Sequence, residues 1–422
     1  MEKIGIIGGG ITGIFSALNL SMNGYKVTVF ERNSLLAGTS GRFHGMLHSG
    51  ARYSVNDPNS ARECMEENKL LSKTASRFIK DTGGYYISLG EVESNYGDML
   101  IKSNEKNGID SEELPPEEFL KMEAYVNPKI ERVIRVPDKI ISAHNFSAAV
   151  ALEAIMAGTK FNTGCNVVGG SVSKNNVISL KYSYNGNIQT EKFDFIINTS
   201  GPWSGNVAQN LGIKNFEVMP TLGYMAVYDR PFVGSIINRM RPPSDGDIIL
   251  PYGSGTVAGT LAIISDDPDS NDVDDEDLDI MLSEVSKMVP SLEKKRYKKL
   301  YYSMRPLVKD DNSRGTRDFS IIDNFDNMIS IIGGKFTTTR LMASELSNRI
   351  SEIFGSHNYD TSKINFNDTF ERYMESNMGG LDKEFINYIN SYRDGMDFEY
   401  ADYILSAYLL NEGIKRGNKN EI

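Results

Sequence analysis

Three features of the sequence predict an α/β fold. An apolar strand, a glycine cluster and an apolar helix open the chain. Strand-like runs fill its middle. A last apolar strand and helix follow, ending near residue 354. This order predicts a parallel sheet assembled from distant segments, a second mixed and mostly antiparallel sheet, and a short helical tail. The 422 residues suffice for two or three domains and a large core.

Composition narrows the function. Lys plus Arg number 45 against 56 Asp plus Glu, a formal charge of −11. Nucleic-acid binding needs concentrated positive charge, so no nucleic-acid partner is expected. Cys64 and Cys165 are too few for a thiolate metal cage, and no metal site is expected. No apolar run approaches the ~18 residues of a spanning helix. Without a charged leader before Ile4, a cytoplasmic location is expected. The basic run 294–299 leaves open a peripheral contact with anionic lipid at the inner membrane face, although a solvated face is the simpler reading.

Residues 4–7 read as a strand, followed at once by Gly8-Gly9-Gly10-Ile11-Thr12-Gly13. Ile11, Ile14, Phe15 and Leu18 recur at helical spacing, Gly24 ends that helix, and residues 26–30 alternate as a second strand. The unit has the Rossmann βαβ pattern. Gly8 makes the tight turn, Gly10 admits a pyrophosphate and Gly13 lets helix and strand pack closely. The helix N-terminus offers N–H groups to phosphate, and Glu31, 18 residues after Gly13, stands where a carboxylate grips a ribose. Residues 36–50 are too polar and glycine-rich for a core element. They read as a ribbon laid on a cofactor, with hydroxyls directed to phosphate and with Gly45 and Gly50 allowing close approach to a flat ring.

Farther along, helices are expected at 59–78, from 115, at 145–156 and at 277–289. Strands are expected at 85–89, paired through an Asn-Asn turn over 166–184, and at 193–198, 219–228, 248–264 and 328–332. The expected organisation is a discontinuous dinucleotide domain (1–80, 145–210, 315–354), a substrate domain (81–144, 211–314) and a tail (355–422) packed through Met374, Phe385, Ile389, Tyr403 and Leu409. The acidic run 266–279 fails a calcium-loop test, since Asp272 and Leu278 occupy the positions of the required Gly and Glu. It reads as a solvated loop capping the next helix.

Several longer motifs resemble the FAD-dependent glycerol-3-phosphate dehydrogenases, closest to the A-subunit branch of the anaerobic enzymes. They are Thr39-Ser40-Gly41-Arg42-Phe43-His44-Gly45-Met46-Leu47-His48-Ser49-Gly50-Ala51-Arg52-Tyr53, Ser60-Ala61-Arg62-Glu63-Cys64, residues 237–248, Arg305-Pro306-Leu307-Val308 and Gly333-Gly334-Lys335-Phe336-Thr337-Thr338. The resemblance implies a D-amino-acid-oxidase-like flavoprotein fold and FAD as cofactor. It also implies oxidation of a small phosphorylated substrate, sn-glycerol 3-phosphate, with electrons passed to a quinone or an electron-transfer protein. The FAD contacts it implies lie at Gly8, Gly10, Thr12, Gly13, Glu31, Arg32, Thr39, Ser40, Gly41, His44, Gly45, Leu47 and His48. They continue at Val167, Gly201, Trp203, Gly334, Lys335, Phe336 and Thr337.

For the chemistry, Arg52, Arg305 and Arg317 are the candidate substrate ligands, because guanidinium matches phosphate geometry, and Tyr53 joins them through a hydroxyl hydrogen bond or as a packing wall. His48 is the first candidate for proton acceptor, against a plain loop-holding role. Arg317 and Lys335 complete the candidate catalytic set, Lys335 to stabilise negative charge on reduced flavin. There are departures from the family pattern. Leu222 replaces a family lysine, Met225 stands where aerobic relatives carry histidine, and no cysteine follows Cys165, so electron exit must take another route or use a partner. The His-Ser-Gly ribbon also resembles flavin enzymes oxidising 2-hydroxy acids such as 2-hydroxyglutarate. Further alternatives are an oxidase variant and a non-catalytic, flavin-binding protein.

Overall fold

The computed structural model describes residues 1–292, 297–308, 318–355, 359–393 and 398–419. A six-stranded sheet runs in the order Ser320–Phe325, Met328–Ile332, Phe195–Asn198, Lys3–Ile7, Lys26–Glu31 and Lys160–Thr163. All neighbours are parallel except the edge strand Ser320–Phe325. Such sheets need cover on both faces, which is why their strands read as unbroken apolar runs. One face, carrying Ile4, Ile6, Val29 and Ile197, packs under the helices Ile11–Met22, Ala143–Met156 and Thr339–Phe354. The opposite face, carrying Ile7, Phe30 and Ile196, meets Val177, Leu180 and Tyr182 of a three-stranded antiparallel sheet. Phe30 and Tyr182 lie 4.7 Å apart there.

The close fit of the first helix to the sheet depends on Gly13. A Cβ at that position would stand 2.1 Å from the Gly8 carbonyl oxygen. The helix therefore starts directly above the strand end, with its N-terminus facing the space beyond the sheet.

A second sheet contains Gly84–Ile87, Glu112–Leu114, Val133–Val136, Val218–Tyr228, Ile236–Arg239, Ile248–Tyr252, Gly255–Gly259, Ile263–Ile264 and Lys299–Val308. Its pairings are antiparallel apart from Ile236–Arg239 on Gly84–Ile87. The helix Asp275–Met288 covers it with Leu278, Met281, Leu282 and Val285. Asp274 caps that helix by accepting the Glu276 N–H at 2.9 Å. The basic run is described only from residue 297 onward, where Lys299 begins the strand Lys299–Val308; Lys294, Lys295 and Arg296 lie outside the described residues.

Several details differ from the sequence reading. The first expected turn sits at Lys174–Asn175, one residue early, with Lys174 at φ 53°. A third strand, Asn187–Glu191, is almost wholly exposed and so lacks an alternating signal. The helix Glu91–Lys106 buries only Gly97, Leu100 and Asn104, too few to mark an apolar stripe. Residues of the tail share the core of the six-stranded sheet and its helices. Leu405 and Leu409 are fully buried, and Arg77 binds Asp402 at 2.9 Å and Glu371 at 2.8 Å. Tyr403, expected inside, is 46% exposed and packs at the edge of the His144 ring.

Candidate active site

The carboxyl ends of the central strands open into a cleft of roughly 710 Å3, bounded on its far side by the second sheet. Its lining includes Arg32, Arg42, Arg52, Arg305 and Lys335 against Glu31 and Asp269. Within an acidic chain, the cleft is a local concentration of positive charge.

The first part of the cleft is made by the βαβ unit. Gly8, Gly10 and Thr12 line it, and Gly10 carries no side-chain cap at the helix start. Ser40 Oγ accepts the Ile11 N–H at 3.0 Å, which leaves the hydroxyl hydrogen to donate elsewhere. Glu31 lines the wall but is engaged by backbone: its carboxylate accepts the Gly9 and Asn33 N–H groups, each at 2.8 Å. Thr39 does not direct its hydroxyl at the cleft as expected. It donates to the Met304 carbonyl and ties the ribbon to the second sheet.

Arg32, Val167, Gly201, Trp203, His44, Gly334 and Phe336 also line the cleft. Gly13, Gly41, Gly45, Leu47 and Thr337 stand behind its wall. Leu47 is fully buried, Gly45 accepts the Ile141 N–H at 2.8 Å and Gly41 packs on the Leu36 carbonyl. Gly50, expected to approach a flat ring, instead presses on the Ala61 carbonyl of the helix Pro58–Thr74, because that helix lies directly beneath the ribbon.

Groups able to do chemistry converge farther in. His48 is nearly buried, with its ring 5.5 Å from Tyr53 and 5.7 Å from His44. Its backbone N–H donates to Thr337 Oγ1 at 3.0 Å, so Thr337 acts through the ribbon. The next residue is fixed as well, with the Ser49 N–H donating to buried Asp138 at 2.6 Å. Burial pushes the Asp138 carboxyl above its usual range despite that bond.

Lys335 lies 4.6 Å over the Tyr53 ring, donates to Ser60 Oγ at 2.9 Å and stands 3.9 Å from Asp318. Ser60 in turn donates to Asp318. Arg305 donates to Thr260 Oγ1 at 2.6 Å and to the Leu261 carbonyl at 3.1 Å, which aims its guanidinium across Gly223. Arg52 departs from expectation. It lines the cleft, but its charge is already matched by Asp247, so it cannot serve as an uncommitted phosphate ligand. Arg317 lies outside the described residues, as does His357.

Asp247, Ser60, Thr260 and Asp138 were not foreseen as supports. Asp247 does fall within the motif at 237–248, but sequence alone does not tell which arginine it meets. Among the described residues no group of three His, Cys, Asp or Glu could hold a metal ion. No described helix is long and apolar enough to cross a membrane.

An open cleft at the strand ends, with a helix N-terminus facing it and a glycine where phosphate must approach, is the site of a dinucleotide-binding oxidoreductase. Residues 3–349 match the family model of the FAD dependent oxidoreductases (DAO), and the chain belongs to that family. It is 32% identical over 372 residues to the A1 subunit of the anaerobic glycerol-3-phosphate dehydrogenase of Haloferax volcanii, covering 83% of this chain and 63% of that protein. It is 32% identical over 364 residues to the A subunit of the anaerobic glycerol-3-phosphate dehydrogenase of Escherichia coli K12, covering 83% and 67%. The chain thus spans about two thirds of the length of these relatives. Among solved structures it is similar to the glycerol-3-phosphate dehydrogenase of Bacillus halodurans complexed with FAD. The TM-score is 0.71 and the identity 19%, covering 99% of this chain and 79% of that one.

The residues present fit FAD. The cradle at Gly10 is open, since a Cβ there would meet only Ser40 Oγ at 3.1 Å, and the cleft continues without a break to Lys335 and Arg305.

Proposed function

We propose that the chain oxidises sn-glycerol 3-phosphate to dihydroxyacetone phosphate, with electrons passing to a quinone or an electron-transfer protein. The observation that carries this reading is that Arg305, Lys335, His48 and Tyr53 share one cleft with the dinucleotide cradle. FAD, when bound, supplies the hydride acceptor. The backbone N–H groups at the first helix start and the Ser40 hydroxyl would hold its phosphates.

The chain's own residues supply position and charge. A phosphate monoester carries about two negative charges. Arg305, braced by Thr260 and Leu261, offers it a fixed guanidinium. Loss of hydride from C2 requires loss of the hydroxyl proton, and His48 is the group that takes it. Thr337 and Asp138 hold the ribbon that carries His48, and so fix where the imidazole stands. Lys335, held over Tyr53 by Ser60, places a positive charge where negative charge develops. A cytoplasmic location, with contact at the inner membrane face where a quinone is the acceptor, completes the proposal.

Anaerobic addition of sn-glycerol 3-phosphate to the purified yellow protein should bleach the visible flavin absorbance rapidly. If the phosphate ester leaves the absorbance unchanged while 2-hydroxyglutarate bleaches it, the substrate is a hydroxy acid and this reading fails.

A further inference from the structure

The acidic segment between the strand Ile263–Ile264 and the helix Asp275–Met288 does more than cap that helix. Both of its ends are anchored to the second sheet. The Ser265 N–H donates to the Pro220 carbonyl at 2.9 Å, and the Tyr224 hydroxyl donates to the Asn271 carbonyl. Its middle is stiffened internally. The Ser265 hydroxyl donates to the Asp267 carbonyl at 2.9 Å, and the Asp269 N–H donates to Asp267 Oδ1 at 2.9 Å.

From these anchors Asp269 reaches across to the other sheet. One carboxylate oxygen accepts from Arg32 at 2.8 Å and from Trp203 Nε1 at 2.9 Å. The Arg32 guanidinium also lies 4.2 Å over the Trp203 ring, so the three side chains form a closed triangle. Arg32 follows the second strand of the βαβ unit and Trp203 follows the strand Phe195–Asn198. Pro268, Asp269, Arg32 and Trp203 all line the cleft. The side chains of Arg32 and Asp269 are 36% and 60% exposed, so water and salt reach the pair from outside. Burial works against the Asp269 charge, yet Arg32 and Trp203 hold its carboxyl below the usual range.

We propose that Asp269 closes a clasp on Arg32 and Trp203 over the cofactor cleft, and that opening this clasp sets the rate at which a bound adenine dinucleotide leaves. The inference rests on the reading that the cleft holds FAD. The clasp joins two residues that follow strands of the first sheet to a segment anchored on the second. It also gives the acidic segment a specific task, since among the described residues only Asp269 of its carboxylates is aimed at a cation of the opposite sheet.

The test is FAD release from the holoenzyme, followed by the rise of free-flavin fluorescence after dilution. Asp269→Ala should release FAD about five- to tenfold faster at low salt, as expected for loss of one partly exposed, geometrically good ion pair with its second hydrogen bond. Asp269→Asn should fall between, because the amide oxygen still accepts from Trp203. High salt should speed release from the wild type and narrow the gap. In an Arg32→Gln background the effect of Asp269→Ala should shrink, since the partner is gone. The thermal midpoint of the apoprotein should fall only slightly, as for loss of one partly exposed ion pair.

Equal release from wild type and Asp269→Ala would overturn the clasp while leaving the cofactor reading standing. Undiminished acceleration in the Arg32→Gln background would overturn it too. A protein that binds no flavin would overturn both.

Discussion

Arg52 and Asp247 form a sealed ion pair. One guanidinium nitrogen donates to both carboxylate oxygens at 2.9 and 3.1 Å, with side-chain exposures of 5% and 0%. Burial is the largest single influence and opposes the guanidinium charge, but Asp247 together with Tyr86 and Tyr53 outweighs it, so the Arg52 pKa lies above its ordinary value. Asp247 also accepts the Ser244 N–H at 2.8 Å, which ties the loop before the strand Ile248–Tyr252 to the ribbon. Removing one member strands the other charge in a dry site. Asp247→Ala should therefore cost about 3–5 kcal/mol in urea unfolding. Replacing both members by apolar residues of similar volume should restore most of that loss. If the double variant is no better than the single, the pair matters for more than its charge balance.

Two glycines of the fingerprint should fail in different ways. Gly13 cannot carry a side chain because the Gly8 carbonyl occupies that space. Gly13→Ala should lower stability by about 1–3 kcal/mol even without cofactor, as overpacking does. Gly10 has φ −74°, which any residue adopts, and a Cβ there would meet only the Ser40 hydroxyl, at a tight 3.1 Å. Gly10→Val should still fold, at a modest cost in melting temperature as Ser40 gives way, yet purify colourless. A yellow Gly10→Val protein would show that phosphate does not approach that residue.

The contrast shows what sequence can carry. The βαβ unit was legible because strand, glycines, helix and Glu31 are contiguous, and local spacing determines their geometry. The return of Met328–Ile332 to the same sheet was legible from its apolar run before Gly333-Gly334. Arg52 was not, because its partner lies 195 residues away and a charge gives no hint of what it faces. Glu67 is similar: its buried bond to Arg340 spans 273 residues, and from sequence it reads as one more surface acid of a helix. Arg32 and Asp269 failed to connect for the same reason. The exposed strand Asn187–Glu191 failed for another, since a strand without a buried face has no period-two pattern.

Arg305 makes its case through position. In the antiparallel register it stands opposite Thr221, and its guanidinium fills the space over Gly223. Any side chain at residue 223 would collide with it. Arg305→Ala should weaken substrate binding by about 1.5–3 kcal/mol, as for a lost charge-assisted hydrogen bond, while the FAD spectrum survives. Arg305→Lys keeps the charge but cannot span Thr260, Leu261 and a phosphate together, so it should recover only part of the affinity. The readout is substrate dissociation measured by flavin difference spectra. Unchanged affinity in Arg305→Ala would remove this residue from the site.

Cys64 offers a prediction in pH. Its side chain is fully buried in the helix Pro58–Thr74, and burial pushes the thiol up to about 12, against a smaller opposing pull from Lys335. In the native protein it should remain a protonated thiol at pH 8 and resist the chromogenic thiol reagent DTNB until the chain is denatured. Linkage gives the sign for stability. The folded pKa is raised above the unfolded value, so the thiol's contribution is intact below about pH 9 and is lost as pH rises toward 12. Between those limits the unfolded chain has released a proton that the native chain still holds. Stability should fall by about 1.4 kcal/mol per pH unit from this group alone. Cys64→Ala removes the titration, so the gap between wild type and variant in urea unfolding should narrow from pH 8 to pH 10.5. A gap that stays constant would mean that the thiol ionises as readily inside the protein as outside it.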